Sequence, residues 1–131
     1  MKASELMIGD WVMVCPWDET PWKPKKITDI NFHSWEGVDF CDDVGVEGWD
    51  ELSLDQIKPI PLTKEILEKN GFVKDDTWDE WVHFTNGIII DFTLLVDEDG
   101  FRLDIPNARI NYVHELQHAL KLCGINKEIT L

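Results

Sequence analysis

Ile57-Lys58-Pro59-Ile60-Pro61-Leu62-Thr63-Lys64 is the joint of this chain. Pro59 and Pro61 each fix φ and remove an N–H, so neither a helix nor a central strand runs through them. Thr63 is then a good N-cap for a helix over Lys64–Asn70. Gly71 supplies a left-handed stop, after which Phe72 can fold back on Ile66 or Leu67. A helix of about two turns is too short to stand alone, so it must pack on something. The joint separates two halves, 1–62 and 63–131, whose patterns differ.

Before the joint the chain reads as short strands. Asp10–Cys15 is apolar and partly alternating, and Lys26–His33 alternates through Ile27, Ile30 and Phe32. Pro16–Pro24 holds three Pro and two Trp and reads as a loop. Ser34–Gly37 is a turn, Val38–Cys41 a brief strand, Asp42-Asp43 a second turn and Val44–Trp49 a further strand. Leu54–Ile60 follows, with Ile57 and Ile60 pointing inward. Short strands broken by frequent turn signals predict a small SH3-like β-barrel.

After the helix comes an acidic stretch, Lys74–Glu80, and then an antiparallel β-meander of three strands. Trp81–Thr85 and Gly87–Val96 flank Asn86-Gly87, the strongest short hairpin signal because both residues tolerate positive φ. Asp97-Glu98-Asp99-Gly100 turns the chain into Phe101–Ile105, which Pro106-Asn107 ends. Asp97–Asp104 lacks the register and the closing Glu of a calcium loop, so a plain acidic turn is the reading. Asn111 is the expected cap of a final helix through Cys123, with Gly124 as its stop. Tyr112, Leu116, Ala119, Leu120 and Cys123 form its apolar stripe. Ile129–Leu131 suggests a short edge strand. The class is α+β.

The 131 residues carry 26 acidic and 12 basic side chains, a net charge of −14. Residues 1–62 hold −8 of it and residues 63–131 hold −6. That excludes direct nucleic-acid binding through phosphates and disfavours anionic membranes. A basic protein partner, or mimicry of nucleic acid toward a nucleic-acid-binding enzyme, fits the charge. Seven Trp are more than a small core encloses, so some belong at the surface. Cys15, Cys41 and Cys123 are odd in number and widely spaced, which fits buried thiols in a reducing cytosol. The first residues lack a signal-peptide pattern and no apolar run is long enough to span a bilayer, so the expected location is the cytoplasm.

His114-Glu115-Leu116-Gln117-His118 spells H-E-x-x-H. Residues four apart share a helix face, so two imidazoles reach one Zn²⁺ and the Glu polarises its water. On the helix predicted here the apolar stripe centres near Leu116 and Ala119, which turns His114 and His118 toward solvent. A third ligand is also missing: Lys121 and Gly124 stand where the longer motif has Gly and His, and His33 and His83 fall in expected strands. Two incidental surface histidines are therefore favoured over a site with His114 and His118 as ligands and Glu115 as base.

The best binding candidate is Pro16-Trp17-Asp18-Glu19-Thr20-Pro21-Trp22. Loop Trp beside carboxylates on a small barrel is a common grip for proline-rich or basic peptides. Trp17, Trp22, Asp18 and Glu19 are its candidate residues. The alternative is that one indole lids the barrel and the other is incidental.

Three segments, Ile8-Gly9-Asp10-Trp11-Val12, Ile57 to Thr63 with Gly71-Phe72, and Tyr112 to Gln117, resemble a family of small uncharacterised proteins common in Bacteroidetes genomes, often near prophage or other mobile elements. The resemblance follows the order of the whole chain, and its anchors cover about a quarter of it. It brings no activity. It implies that the position of His118 is typically Asn, which weakens the zinc reading. It also implies a more aromatic last helix than Ala119-Leu120-Lys121-Leu122-Cys123.

The expectation is thus a non-enzymatic cytoplasmic binding or accessory protein with a protein or peptide partner and no cofactor. A zinc-dependent hydrolase and an acidic nucleic-acid-mimicking inhibitor are the alternatives.

Overall fold

Trp11–Val14 (β1) alternates strictly, with Val12 and Val14 buried and Trp11 and Met13 half-buried. It lies between Lys23–Trp35 (β2) and Ile57–Pro59 (β5), both antiparallel to it. Val38–Val46 (β3) returns along β2, and Trp49–Leu52 (β4) returns along β3. A 3₁₀ turn, Leu54–Gln56, leads into β5. The sheet order is β4-β3-β2-β1-β5, and the sheet is open rather than the closed barrel expected. Among the described residues no pairing joins β4 to β5. Leu6, Val12, Val14, Ile27, Val44, Val46, Leu52 and Ile57 make one apolar cluster on its inner side.

This computed structural model describes residues 5–15, 21–35, 38–75, 80–85, 88–97, 100–103 and 108–131; for 32–35, 38–42, 75, 80–85, 88–92 and 97 it describes the strand pairing alone. Trp17, Asp18 and Glu19 lie outside the described residues. The chain divides into two units, Met1–Ile60 and Pro61–Leu131. In both, antiparallel strands dominate, and among the described residues both α-helices belong to the second.

The turn expected at Asp42-Asp43 is a bulge inside β3. Asn31 pairs with Asp43 and Phe32 with Cys41, so Asp42 is the extra residue. The Asn31 amide donates to the Asp43 carboxylate at 2.5 Å, so a turn-forming residue is held in the ladder by a cross-strand bond. The strand expected over Val44–Trp49 is in fact the end of β3 and the start of β4. Gly45 is the penultimate residue of β3, opposite Asp29, and is buried. A Cβ there would stand 2.9 Å from Asp29 Oδ2 and 3.2 Å from the Asp50 carbonyl oxygen. A side chain there would have to displace the Asp29 carboxylate and press on the Asp50 backbone.

The second unit opens with Lys64–Lys69 (α1). The Thr63 hydroxyl accepts from the Ile66 amide at 3.3 Å, as its cap position requires. The sheet that follows has five strands where three are expected: Phe72–Asp75 (β6), Glu80–Thr85 (β7), Ile88–Asp97 (β8), Gly100–Leu103 (β9) and Ala108–Ile110 (β10). Among the described residues each pairs only with its neighbours in sequence, in the order β10-β9-β8-β7-β6. The added strands β6 and β10 are the two edges, short and without clear alternation.

Val113–Leu122 (α2) starts at Tyr112, one residue after the expected cap. The cap is made by Glu115, whose Oε1 accepts from the amides of Asn111 and Tyr112, each at 3.0 Å. The helix ends in a Schellman motif. Ile125 N–H donates to Leu120 O at 2.9 Å and Gly124 N–H to Lys121 O at 3.0 Å, with Gly124 at φ +73°. Leu116, Ala119 and Leu120 are buried as the stripe requires, with Val113 beside them. Tyr112 and Cys123 are exposed instead, because they cap the helix rather than lie along it. Cys15 is half-buried, so neither described thiol takes the buried place expected for it.

Ile129–Leu131 forms no strand. The Asn70 side chain holds it instead, accepting from Thr130 N–H at 2.7 Å and donating to Thr130 O at 2.8 Å. The same amide donates to Ile66 O at 2.8 Å, so it ties the last turn of α1 to the tail. Lys69 Nζ donates to the Leu131 carbonyl oxygen. Asn70 is 4% exposed and Ile129 is buried.

Candidate functional site

The outward face of the first sheet is set by the alternation of β1. Val12 and Val14 take the core, so Trp11 and Met13 face away from it. In antiparallel pairing directly opposed residues share a face. Trp11 is paired with Lys26, and Met13 with Pro24 on one side and Lys58 on the other. Trp22 precedes Pro24 by two residues and continues the same face. The Lys58 ammonium lies 4.2 Å from the centre of the Trp22 ring, and the Lys26 ammonium lies 5.2 Å from that of Trp11. Both fall within cation–π range. Trp22 remains 37% exposed beneath its lysine.

None of the three indoles whose side chains are described, Trp11, Trp22 and Trp49, is buried. The excess of Trp does reach the surface. Of the candidate binding residues, Trp22 has a described position on this face. Reading the loop alone missed Trp11, Met13, Lys26 and Lys58. Alternation within Trp11–Val14 carries the signal for the first two. Lys58 joins them only through the β1–β5 pairing, which no local pattern reveals.

The histidine motif lies on α2 and its geometry departs from the expected one. His114 is 4% exposed, not solvent-facing, and His118 is half-buried. The helix wheel is correct about the main stripe, but the start of α2 is covered on a second side. Pro61 pairs with Tyr112, and Leu62 N–H donates to Asn111 O, which lays the chain beside the residues that lead into α2. The Tyr112 ring stacks on that of His114, with centroids 5.8 Å apart and planes 7° apart.

His114 and His118 meet edge to face with centroids 5.7 Å apart. Two imidazoles on one tetrahedral zinc, with Zn–N about 2.0–2.1 Å, would have centroids about 5 Å apart. The pair is thus near the required spacing. Two other requirements are not met. The candidate base, Glu115, is turned back onto the backbone as the helix cap. Among the described residues no group of three His, Cys, Asp or Glu is placed to hold a metal ion. His33 and His83 lie on β2 and β7, with no side-chain position described.

Comparison with protein-family models, curated proteins and solved structures gives no match for this chain. Among the described residues no helix is long and apolar enough to cross a membrane.

Proposed function

We propose that this chain is a non-enzymatic cytoplasmic binding or accessory protein. Its binding face is on the first unit, around Trp22, with Trp17, Asp18 and Glu19 a few residues before it in the sequence. The observation that carries this reading is the outward row of Trp11, Met13 and Trp22, with Trp22 exposed and Lys58 stacked over it. Large flat side chains outside a core are costly unless they meet a partner, and Trp is enriched where partners dock.

The same reading takes the first unit as SH3-like. A last strand that returns to β1, a 3₁₀ turn just before it, and one core fed by all five strands support that. The resemblance to small proteins of prophage and other mobile elements supports an accessory role. The partner is a protein or peptide; a net charge of −14 fits a basic one over the surface at large, the lysine-bearing face around Trp22 excepted. The capping role of Glu115 favours binding over zinc hydrolysis, because a carboxylate held by two amides is poorly placed to take a proton from metal-bound water.

A peptide array tests the proposal. Basic, proline-rich and acidic decamers are titrated against the wild type and Trp22→Ala, with tryptophan emission and anisotropy as readouts. At least one class should bind and lose about tenfold or more affinity in the variant, as for an interface anchor. No binding by any class, or equal binding by both proteins, refutes it.

A further inference from the structure

The Trp22 face differs in charge from the rest of the molecule. Lys23, Lys25, Lys26 and Lys58 are all the lysines among the described residues 5–60. They fall on the two strands that flank β1: Lys26 and Lys58 oppose the outward Trp11 and Met13, whereas Lys23 and Lys25 oppose Val14 and Val12 and belong to the other face. Trp11–Val14, Lys23–Ile27 and Ile57–Pro59 contain no Asp or Glu. Among the described residues none of the four lysines is in an ion pair, although acids outnumber bases 26 to 12. Lys23 and Lys58 are exposed, and Lys25 and Lys26 half-buried. Two of the ammonium groups rest on indole faces, which limits their wandering and leaves their outer protons for an anion.

We infer that this corner docks an acidic polypeptide segment, laid in extended form over Trp11, Met13 and Trp22 with its carboxylates on Lys26 and Lys58. The inference rests on the binding reading above and names the chemistry of the partner. Charge complementarity selects the occupant, and size narrows it. Three strands about 4.8 Å apart give a patch about 10 Å across, and four residues at about 3.3 Å give about 13 Å along it. Acidic side chains at alternate positions of an extended peptide, about 7 Å apart, place two or three carboxylates within that area. The apolar residues between them meet Met13 and the indoles. Double-stranded nucleic acid, with one charge per about 1.7 Å, overruns the patch and meets the acidic remainder.

The test uses the full chain and a fluorescein-labelled peptide of sequence Asp-Leu-Glu-Pro-Asp-Leu-Glu. Three probes accompany it: the same peptide with Lys at each acidic position, a neutral proline-rich peptide, and a single-stranded oligonucleotide of about twelve nucleotides. The acidic peptide should bind most tightly and weaken about tenfold or more as salt rises from about 50 to about 300 mM, because exposed charges are screened. Lys26→Glu with Lys58→Glu should weaken it by about thirtyfold or more, as loss of a charged pair at each position implies. Lys64→Glu with Lys121→Glu, the same change in net charge on exposed positions of the second unit, should leave it within about twofold. Circular dichroism and urea midpoints check that each variant is folded, and Lys26→Gln with Lys58→Gln gives a milder second test.

Equal loss in both double variants overturns the inference, since only net charge would then matter. Tighter binding of the oligonucleotide overturns it in favour of a general anion site. Binding of the basic or proline-rich peptide alone overturns it and leaves the binding reading standing. Binding of no peptide overturns both.

Discussion

Replacing Glu115 separates its two possible roles. In the structure one carboxylate oxygen accepts two backbone N–H bonds, from Asn111 and Tyr112, at the positive end of α2. Removing a capping side chain costs about 0.5–2 kcal/mol, and a negative charge in the first turn adds about 0.3–1 kcal/mol. Ala is a better helix former than Glu by a few tenths of a kcal/mol, which offsets a little of this. Glu115→Ala should therefore destabilise by about 1–2 kcal/mol. Glu115→Gln keeps an acceptor and loses the charge, so about 0.5–1 kcal/mol is expected. Urea unfolding followed by circular dichroism reads both as lower midpoints at unchanged slope. The order wild type, Gln, Ala is the signature of a cap. If both variants unfold within about 0.3 kcal/mol of the wild type, the carboxylate does not cap the helix. Its orientation then no longer counts against a role as base.

Asn70→Ala removes three hydrogen bonds made by a buried amide, worth about 0.5–1.5 kcal/mol each, so a loss of about 2–4 kcal/mol is expected with faster hydrogen exchange at the Thr130 amide. Gly45→Ala forces a methyl group against Asp29 and the Asp50 carbonyl, and urea unfolding should show a loss of about 1–3 kcal/mol. Wild type and His118→Asn, purified without chelator, should both hold far less than one zinc per chain. Near-stoichiometric zinc lost in the variant would reinstate the hydrolase.

The helix boundaries were legible because their signals act within four residues: Thr63 accepts from Ile66, and Gly124 alone has the backbone freedom for the turn after α2. The pairing of β7 with β8 is legible for the same reason, with Thr85 opposite Ile88, while Asn86-Gly87 lie outside the described residues. Most of what escaped local reading depends on partners distant in sequence. Asp42-Asp43 carries a turn signal, yet Asn31 across the ladder keeps that region in β3. Ala108–Ile110 is too short to alternate and is a strand only because Gly100–Leu103 templates it. His114 reads as exposed on a helical wheel, which has no way to represent the Tyr112 ring stacked on it from outside the helix. The lysine corner vanishes in a net charge of −14, since Lys58 reaches Trp22 from a strand over thirty residues away.

The sequential order of the second sheet bears on how long that unit lasts once formed. Hairpins between neighbouring strands close short loops, whereas the Asn70–Thr130 bonds join residues 60 apart. Loop closure delays distant contacts relative to local ones. The tail is thus a late arrival in folding, absent when the barrier is crossed. An interaction missing from the transition state is felt almost wholly in the rate of escape from the native state. In a stopped-flow chevron, Asn70→Ala should leave the refolding limb in place and raise the unfolding rate about thirtyfold for each 2 kcal/mol lost. The amide acts as a latch on lifetime, not as a guide to assembly.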